Sequence, residues 1–306
     1  MMSYAEPGRR TGRFWQILHF PLVRIILASL VLIASIGAVQ SVLIEPLRAA
    51  PTLSSLGSLG WLAAYLAGSV LVAIGCYRIY VRIVEQRRAD ELSGRGAVRA
   101  LCAGALVGGT LFATALGALW LLGAARVTTT HSWAMLSVAL AFNIAGAVFE
   151  ELLLRGILFR ITDEALGTWL ALAISALLFI GLHLDSPDAP ILMIVFAGLA
   201  GGLLPSAAYT RTRRLWLPIG IHAGWDVIQN LTFGARFAGH QVPGVLDIHL
   251  LGSPLLTGGS LGLKASIVAL VAALALSFYL LVGAVRHGLI VQPFWRRMRQ
   301  AVPAIA

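Results

Sequence analysis

The chain has 306 residues, of which 58% are hydrophobic and 12% charged, against about 25% charged in soluble domains. Its net charge of +10 comes from basic residues clustered between long apolar runs, so it reads as membrane topology and excludes a nucleic-acid footprint. Cys76 and Cys102, the only cysteines, both lie in apolar runs and leave no disulfide framework or Cys-rich zinc site.

Several apolar runs approach 20 residues, the length that spans a bilayer core. They predict an all-α polytopic transmembrane helix bundle with eight spans, at 19–43, 58–80, 100–124, 133–159, 167–185, 189–210, 215–233 and 262–285. The first span follows a basic lead (Arg9, Arg10, Arg13) and is too long for a cleaved signal, so it reads as an anchor. The loops at 81–99, 160–166 and 211–214, together with the lead and the tail, carry most of the arginine. The alternate loops carry Arg48, Arg126 and Arg236 alone. With eight spans the arginine-rich set falls on one side with both termini, and that side is the cytoplasm. Arginine outnumbers lysine 22 to 1, which points to a GC-rich bacterial genome and hence to a bacterial cytoplasmic membrane.

Seven of the eight tryptophans lie near expected span ends, as in an interfacial belt; Trp225 is the exception. The chain divides into an N-terminal region of three spans (1–131), a four-span core (132–233), and an outer loop, last span and basic tail (234–306). The pairs Gly104/Gly108 and Gly198/Gly202 have the small-xxx-small spacing that lets helices approach closely.

Only 13 residues are acidic, and three sit well inside spans: Glu150, Glu151 and Asp226. A charged side chain at the bilayer centre costs roughly 2.5–3.5 kcal/mol on insertion scales, so such residues mark a functional site or a paired structural one. Glu151 and Arg155 are four apart with the acid first, the favourable order for an ion pair on one helix face. That pair accounts for itself as a helix pin. Glu150 points roughly 100° away around the helix and needs another partner or a task, such as general base toward water.

In span seven, His222, Asp226, Gln229 and Asn230 form a polar stripe on an apolar helix, which must face a cavity or act as a seam between helices. His183 ends span five, where an interfacial role competes with a functional one. No H-E-x-x-H or phosphate-binding loop is present.

Taken together, Glu150-Glu151-x-x-x-Arg155-Gly156, Phe179-x-x-x-His183 and His222-x-x-x-Asp226 resemble the CPBP family of intramembrane proteases, which includes the CAAX prenyl endopeptidases and Abi-type bacteriocin-processing proteins. The resemblance covers roughly 134–233. It implies an intramembrane endopeptidase acting on a membrane-associated peptide or protein, with Glu150 activating water and one histidine, His183, assisting. It further implies that Glu151 and Arg155 orient the site, and that His222 and the residue at 226 stabilise the oxyanion or bind a metal.

Many members carry Asn where this chain has Asp226, and an ionised carboxylate cannot donate to an oxyanion. A protonated Asp226, a donor role for Asn230, or metal ligation each meets the difficulty. The residue types fit either a zinc site or a metal-free glutamate protease. A proton-coupled transporter and a non-catalytic immunity or scaffold protein are the competing readings. Straight spans would put His183 near the outer surface, away from Glu150 and His222. Span five is therefore expected to be short, tilted or displaced inward.

Overall fold

A computed structural model describes residues 13–43, 59–130, 136–186, 188–237, 240–242 and 244–301. Arg9, Arg10, Arg48, His131 and Trp133 lie outside the described residues.

Each predicted span contains a helix among the described residues. After the short α1 (Arg13–Leu18) come α2 (Pro21–Leu43), α3 (Leu59–Ile83) and α4 (Ala97–Leu121). The fourth span is α5 (Leu136–Glu151), a π-helical stretch (Leu152–Phe159) and α6 (Arg160–Leu166) in unbroken succession. Then follow α7 (Thr168–His183), α8 (Ile191–Thr212) and α9 (Trp216–Phe233). Beyond α10 (Pro254–Thr257) lie α11 (Ile267–Arg286) and the tail helix α12 (Phe294–Ala301). Among the described residues five helices are long and apolar enough to cross a membrane: α2, α3, α4, α8 and α11. Their outward faces carry large apolar side chains such as Leu71, Leu106 and Phe278, each about 70% exposed, as a lipid-facing surface requires.

The fold departs from the sequence reading in three places. The 160–166 segment, expected as a loop, continues the helix, with Arg160 Nη1 donating to Glu164 Oε1 at 2.7 Å one turn on. The last span starts at Ile267, five residues later than expected, because the Ser266 hydroxyl caps it by accepting from Ala269 N at 3.1 Å. The 234–261 segment is not a plain loop. It forms β2 (Ala235–Phe237), β3 (His240–Val242) and β4 (Leu246–Leu250). β4 pairs antiparallel with β1 (Ala125–Thr130), so the otherwise all-α bundle carries two small two-stranded sheets. The β1–β4 pair ties the end of α4 to the end of α9.

Close packing follows the predicted glycines. α4 lies along α9, where a Cβ on Gly108 would overlap the Ile221 carbonyl. α7 lies along α8, where a Cβ on Gly202 would come 2.6 Å from Ala176 Cα. Without a hydrophobic force between helices in lipid, such backbone approaches supply the contact.

The arginine-rich loops meet at one end of the bundle, where they are knitted by acids. Glu85, just beyond α3, accepts from Arg24 (2.9 Å), Arg160 (2.7 Å) and Arg87 (2.6 Å), while Asp163 accepts from Arg213 at 2.5 Å. Burial pushes the Glu85 carboxyl up, but Arg160, Arg24 and Arg87 outweigh it and bring its pKa down from 4.5 to about 2. A folded-state pKa below the unfolded one stabilises the protein above the unfolded value, and this contribution fades as pH falls from about 4.5 toward 2. The shift corresponds to roughly 3 kcal/mol for this nearly buried side chain. Thermal unfolding in detergent from pH 7 to 3 should show the midpoint of the wild type falling below pH 4.5. Glu85→Gln should start lower and titrate less.

Candidate active site

The break in the long helix at residue 152 sets the site. Two glutamates close α5, and the wider π-helical turn begins directly after them, a feature frequent at functional sites. α6 extends seven residues past the expected end of the span before the chain turns at Gly167. Glu150 then lies 17 residues before that turn and His183 16 residues after it, and both line one cavity. α7, at 16 residues, is about 24 Å long, short of the roughly 30 Å core. Of the three outcomes expected for span five, the structure shows a short helix.

Glu150, Glu151, Arg155, His183, His222 and Asp226 all line one cavity of about 300 Å³, with Gln229 and Asn230 of the polar stripe beside them. The volume is enough for about ten waters at ~30 Å³ each, and it falls at the lower end of ligand pockets.

One wall is anionic. His222 stands among three carboxylates: Nδ1 is 2.8 Å from Glu151 Oε1, and Nε2 is 3.2 Å from Asp226 Oδ2 and 3.7 Å from Glu150 Oε2. Both short contacts are satisfied together when both ring nitrogens carry hydrogen. Glu150 and Glu151, which leave the helix in different directions, thus reach the same imidazole from two sides. Their environments differ sharply. The Glu151 side chain is 0% exposed and neutralised by Arg155 Nη1 at 2.9 Å, whereas the Glu150 side chain is 49% exposed on the cavity surface.

Arg155 joins this wall to the other. It is fully buried, donates through Nη2 to the Gly201 carbonyl of α8, and places its guanidinium 4.9 Å from the Phe179 ring centroid. The Phe179 ring stacks against His183, with centroids 6.2 Å apart and 24° between the planes. The predicted ion pair is therefore more than a helix pin, because it touches elements carrying both histidines.

The second wall holds a residue that motif reading missed. His183 Nδ1 lies 2.8 Å from the Phe179 carbonyl, and Nε2 lies 3.2 Å from Nζ of Lys264, the only lysine in the chain. Lys264 falls in no family motif, and the expected boundary of the last span buried it in a helix. Its uniqueness was the available signal.

The geometry bears on all three ways around Asp226. Asp226 Oδ2 lies 3.2 Å from His222 Nε2 and accepts from it, and the Asn230 amide donates to Asn143 Oδ1 at 2.5 Å. Gln229 Oε1 accepts from Trp225 Nε1 at 3.0 Å. A metal does not fit these donors as arranged. Both nitrogens of His222 face carboxylate oxygens, His183 Nε2 faces an ammonium, and among the described residues no group of three or more His, Cys, Asp or Glu forms a ligand set. No step is therefore routed through a metal.

Residues 131–228 match the family model of the type II CAAX prenyl endopeptidase Rce1-like proteins. The match spans the elements that carry Glu150, Glu151, Arg155, His183, His222 and Asp226, and it is consistent with the CPBP resemblance of the three motifs. No curated protein and no solved structure matches the chain.

Proposed function

We propose that the chain is an intramembrane endopeptidase that hydrolyses a peptide bond of a membrane-associated peptide or protein, with Glu150 as the base that activates water. The observation that carries this reading is the contrast between adjacent carboxylates. Glu151 is sealed and neutralised by Arg155, while Glu150 is open to the cavity and 3.7 Å from His222. A carboxylate kept accessible beside an imidazole, in a helix that otherwise buries or pairs its charges, is poised to take a proton.

In this mechanism water adds to the scissile carbonyl carbon and its proton passes to Glu150. The carbonyl π pair moves onto oxygen, and collapse of the tetrahedral species expels the amine, which takes the proton back from Glu150. His222 stays fixed between Glu151 and Asp226 beside the reacting water. Arg155 and Glu151 hold the ring in place.

Residues 132–233 serve as the catalytic core, with both termini cytoplasmic in a bacterial cytoplasmic membrane and the last span closing the cavity through Ala269 and Ala273. The substrate is a precursor peptide or a membrane-protein tail. The test is cleavage of a peptide panel by the purified protein in proteoliposomes, followed by mass spectrometry. Wild type should cut at one site and His222→Ala should not; equal cleavage by both overturns the mechanism. Chelation provides an independent check. Because the imidazole nitrogens are engaged by carboxylates and an ammonium, 1,10-phenanthroline and EDTA should leave the rate unchanged. A loss restored by added zinc would overturn the metal-free reading.

A further inference from the structure

The cavity's two walls differ in charge. Glu150, Glu151 and Asp226 crowd around His222 on one side, where negative charge developing on a substrate oxygen would be repelled. Among the described residues two Arg or Lys side chains line the cavity, and Arg155 is fully buried and directed at Glu151 and Gly201. Lys264 is the other. A carbonyl oxygen only accepts, so His183 donates through Nδ1 to Phe179, and its Nε2 presents a lone pair. The Lys264 ammonium donates one of its three N–H groups to that lone pair at 3.2 Å, leaving two for a ligand.

The lysine is also preorganised. Its turn, 263–265, is pinned by Leu263 and Ala265, which are 2% and 0% exposed, and by the Ser266 cap on α11. Ala265 packs with Met193 and Ala197 of α8.

We propose that Lys264 is a catalytic residue: its ammonium, seated on His183 Nε2, donates hydrogen bonds to the scissile carbonyl oxygen as that oxygen gains negative charge. The proposal rests on the hydrolytic reading above and assigns the electrophilic half of the same site. No proton leaves Lys264. Water supplies the nucleophile, Glu150 takes and returns its proton, and the ammonium stabilises the oxyanion until the amine departs. His183 then acts as the positioning residue for Lys264. With its lone pair engaged, it is unsuited to assist Glu150 as a base.

The experiment compares wild type, Lys264→Met and Lys264→Arg, each checked for an unchanged unfolding midpoint. Two measurements are made: steady-state cleavage, and binding of phosphonamidate analogues of the peptide panel, which present a tetrahedral anion. Lys264→Met should lose about 10²–10³-fold in kcat with KM little changed, the loss typical of one oxyanion donor. It should lose affinity for the phosphonamidates by a similar factor, while binding of the uncleaved peptide to the Glu150→Gln protein is unaffected by adding Lys264→Met. Lys264→Arg should recover most of both losses.

Wild-type kcat and phosphonamidate affinity in Lys264→Met overturn the proposal and leave the role of Glu150 standing. If wild type cleaves no peptide, the hydrolytic reading fails by itself, and equal phosphonamidate binding by wild type and Lys264→Met then removes the anion site as well. Should Lys264→Met not fold, reductive methylation of the folded wild type replaces it. Lys264 is the only side-chain amine, and dimethylation keeps the charge but leaves a single N–H, which cannot serve both His183 Nε2 and the oxyanion, so full activity after modification overturns the proposal.

Discussion

Glu150→Gln is expected to lower kcat by about 10²–10⁴-fold, the range of general-base catalysis, with KM and the unfolding midpoint near wild type. The substitution keeps the shape and removes the basic oxygen. Because the Glu150 side chain is 49% exposed and at 3.7 Å from His222, it contributes little to the fold. Glu151→Gln makes the informative contrast. That carboxylate is fully buried and accepts from both Arg155 and His222, so its loss should lower the midpoint as well as the rate. Initial rates on a cleaved peptide, measured beside thermal unfolding of the same preparations, separate the two glutamates. Full activity in Glu150→Gln would rule out Glu150 as the base, whereas the transporter and scaffold readings require that wild type cleave nothing.

Much of this arrangement was legible in the chain because lipid simplifies the physics. Apolar length set the helices, and the arginines of 81–99, 160–166 and 211–214 gathered at one end, where Glu85 and Asp163 bind them. The stripe from His222 to Asn230 was expected to face a cavity or form a seam between helices; it lines the cavity, and its Asn230 also bonds across to Asn143 of α5. What was not legible depended on where helices stop. Arg160 and Glu164 look like loop charges until they pair across one turn in a helix that runs to Leu166. Lys264 depended on the Ser266 cap, which starts α11 late and frees the lysine to turn inward. The pairing of β1 with β4 joins segments more than a hundred residues apart, beyond the reach of local pattern.

Arg155→Ala is expected to destabilise the protein by about 3–5 kcal/mol, the typical effect of removing one partner from a buried ion pair. Glu151 would keep its charge at 0% exposure with only His222 beside it, Gly201 would lose its donor, and Phe179 would lose the cation over its ring. The unfolding midpoint and the yield of monodisperse protein in detergent both report this. The paired substitution Glu151→Gln with Arg155→Met is the sharper measurement. It removes both charges together, so much of the stability should return, because an uncompensated charge is the main penalty of the single change. Activity should stay low, since an amide at 151 holds His222 less firmly than a carboxylate fixed by a guanidinium. Recovery of both stability and rate in the double variant would reduce the Glu151–Arg155 pair to a helix pin. Recovery of stability alone would show that the pair aims the imidazole on which Glu150 and Asp226 converge.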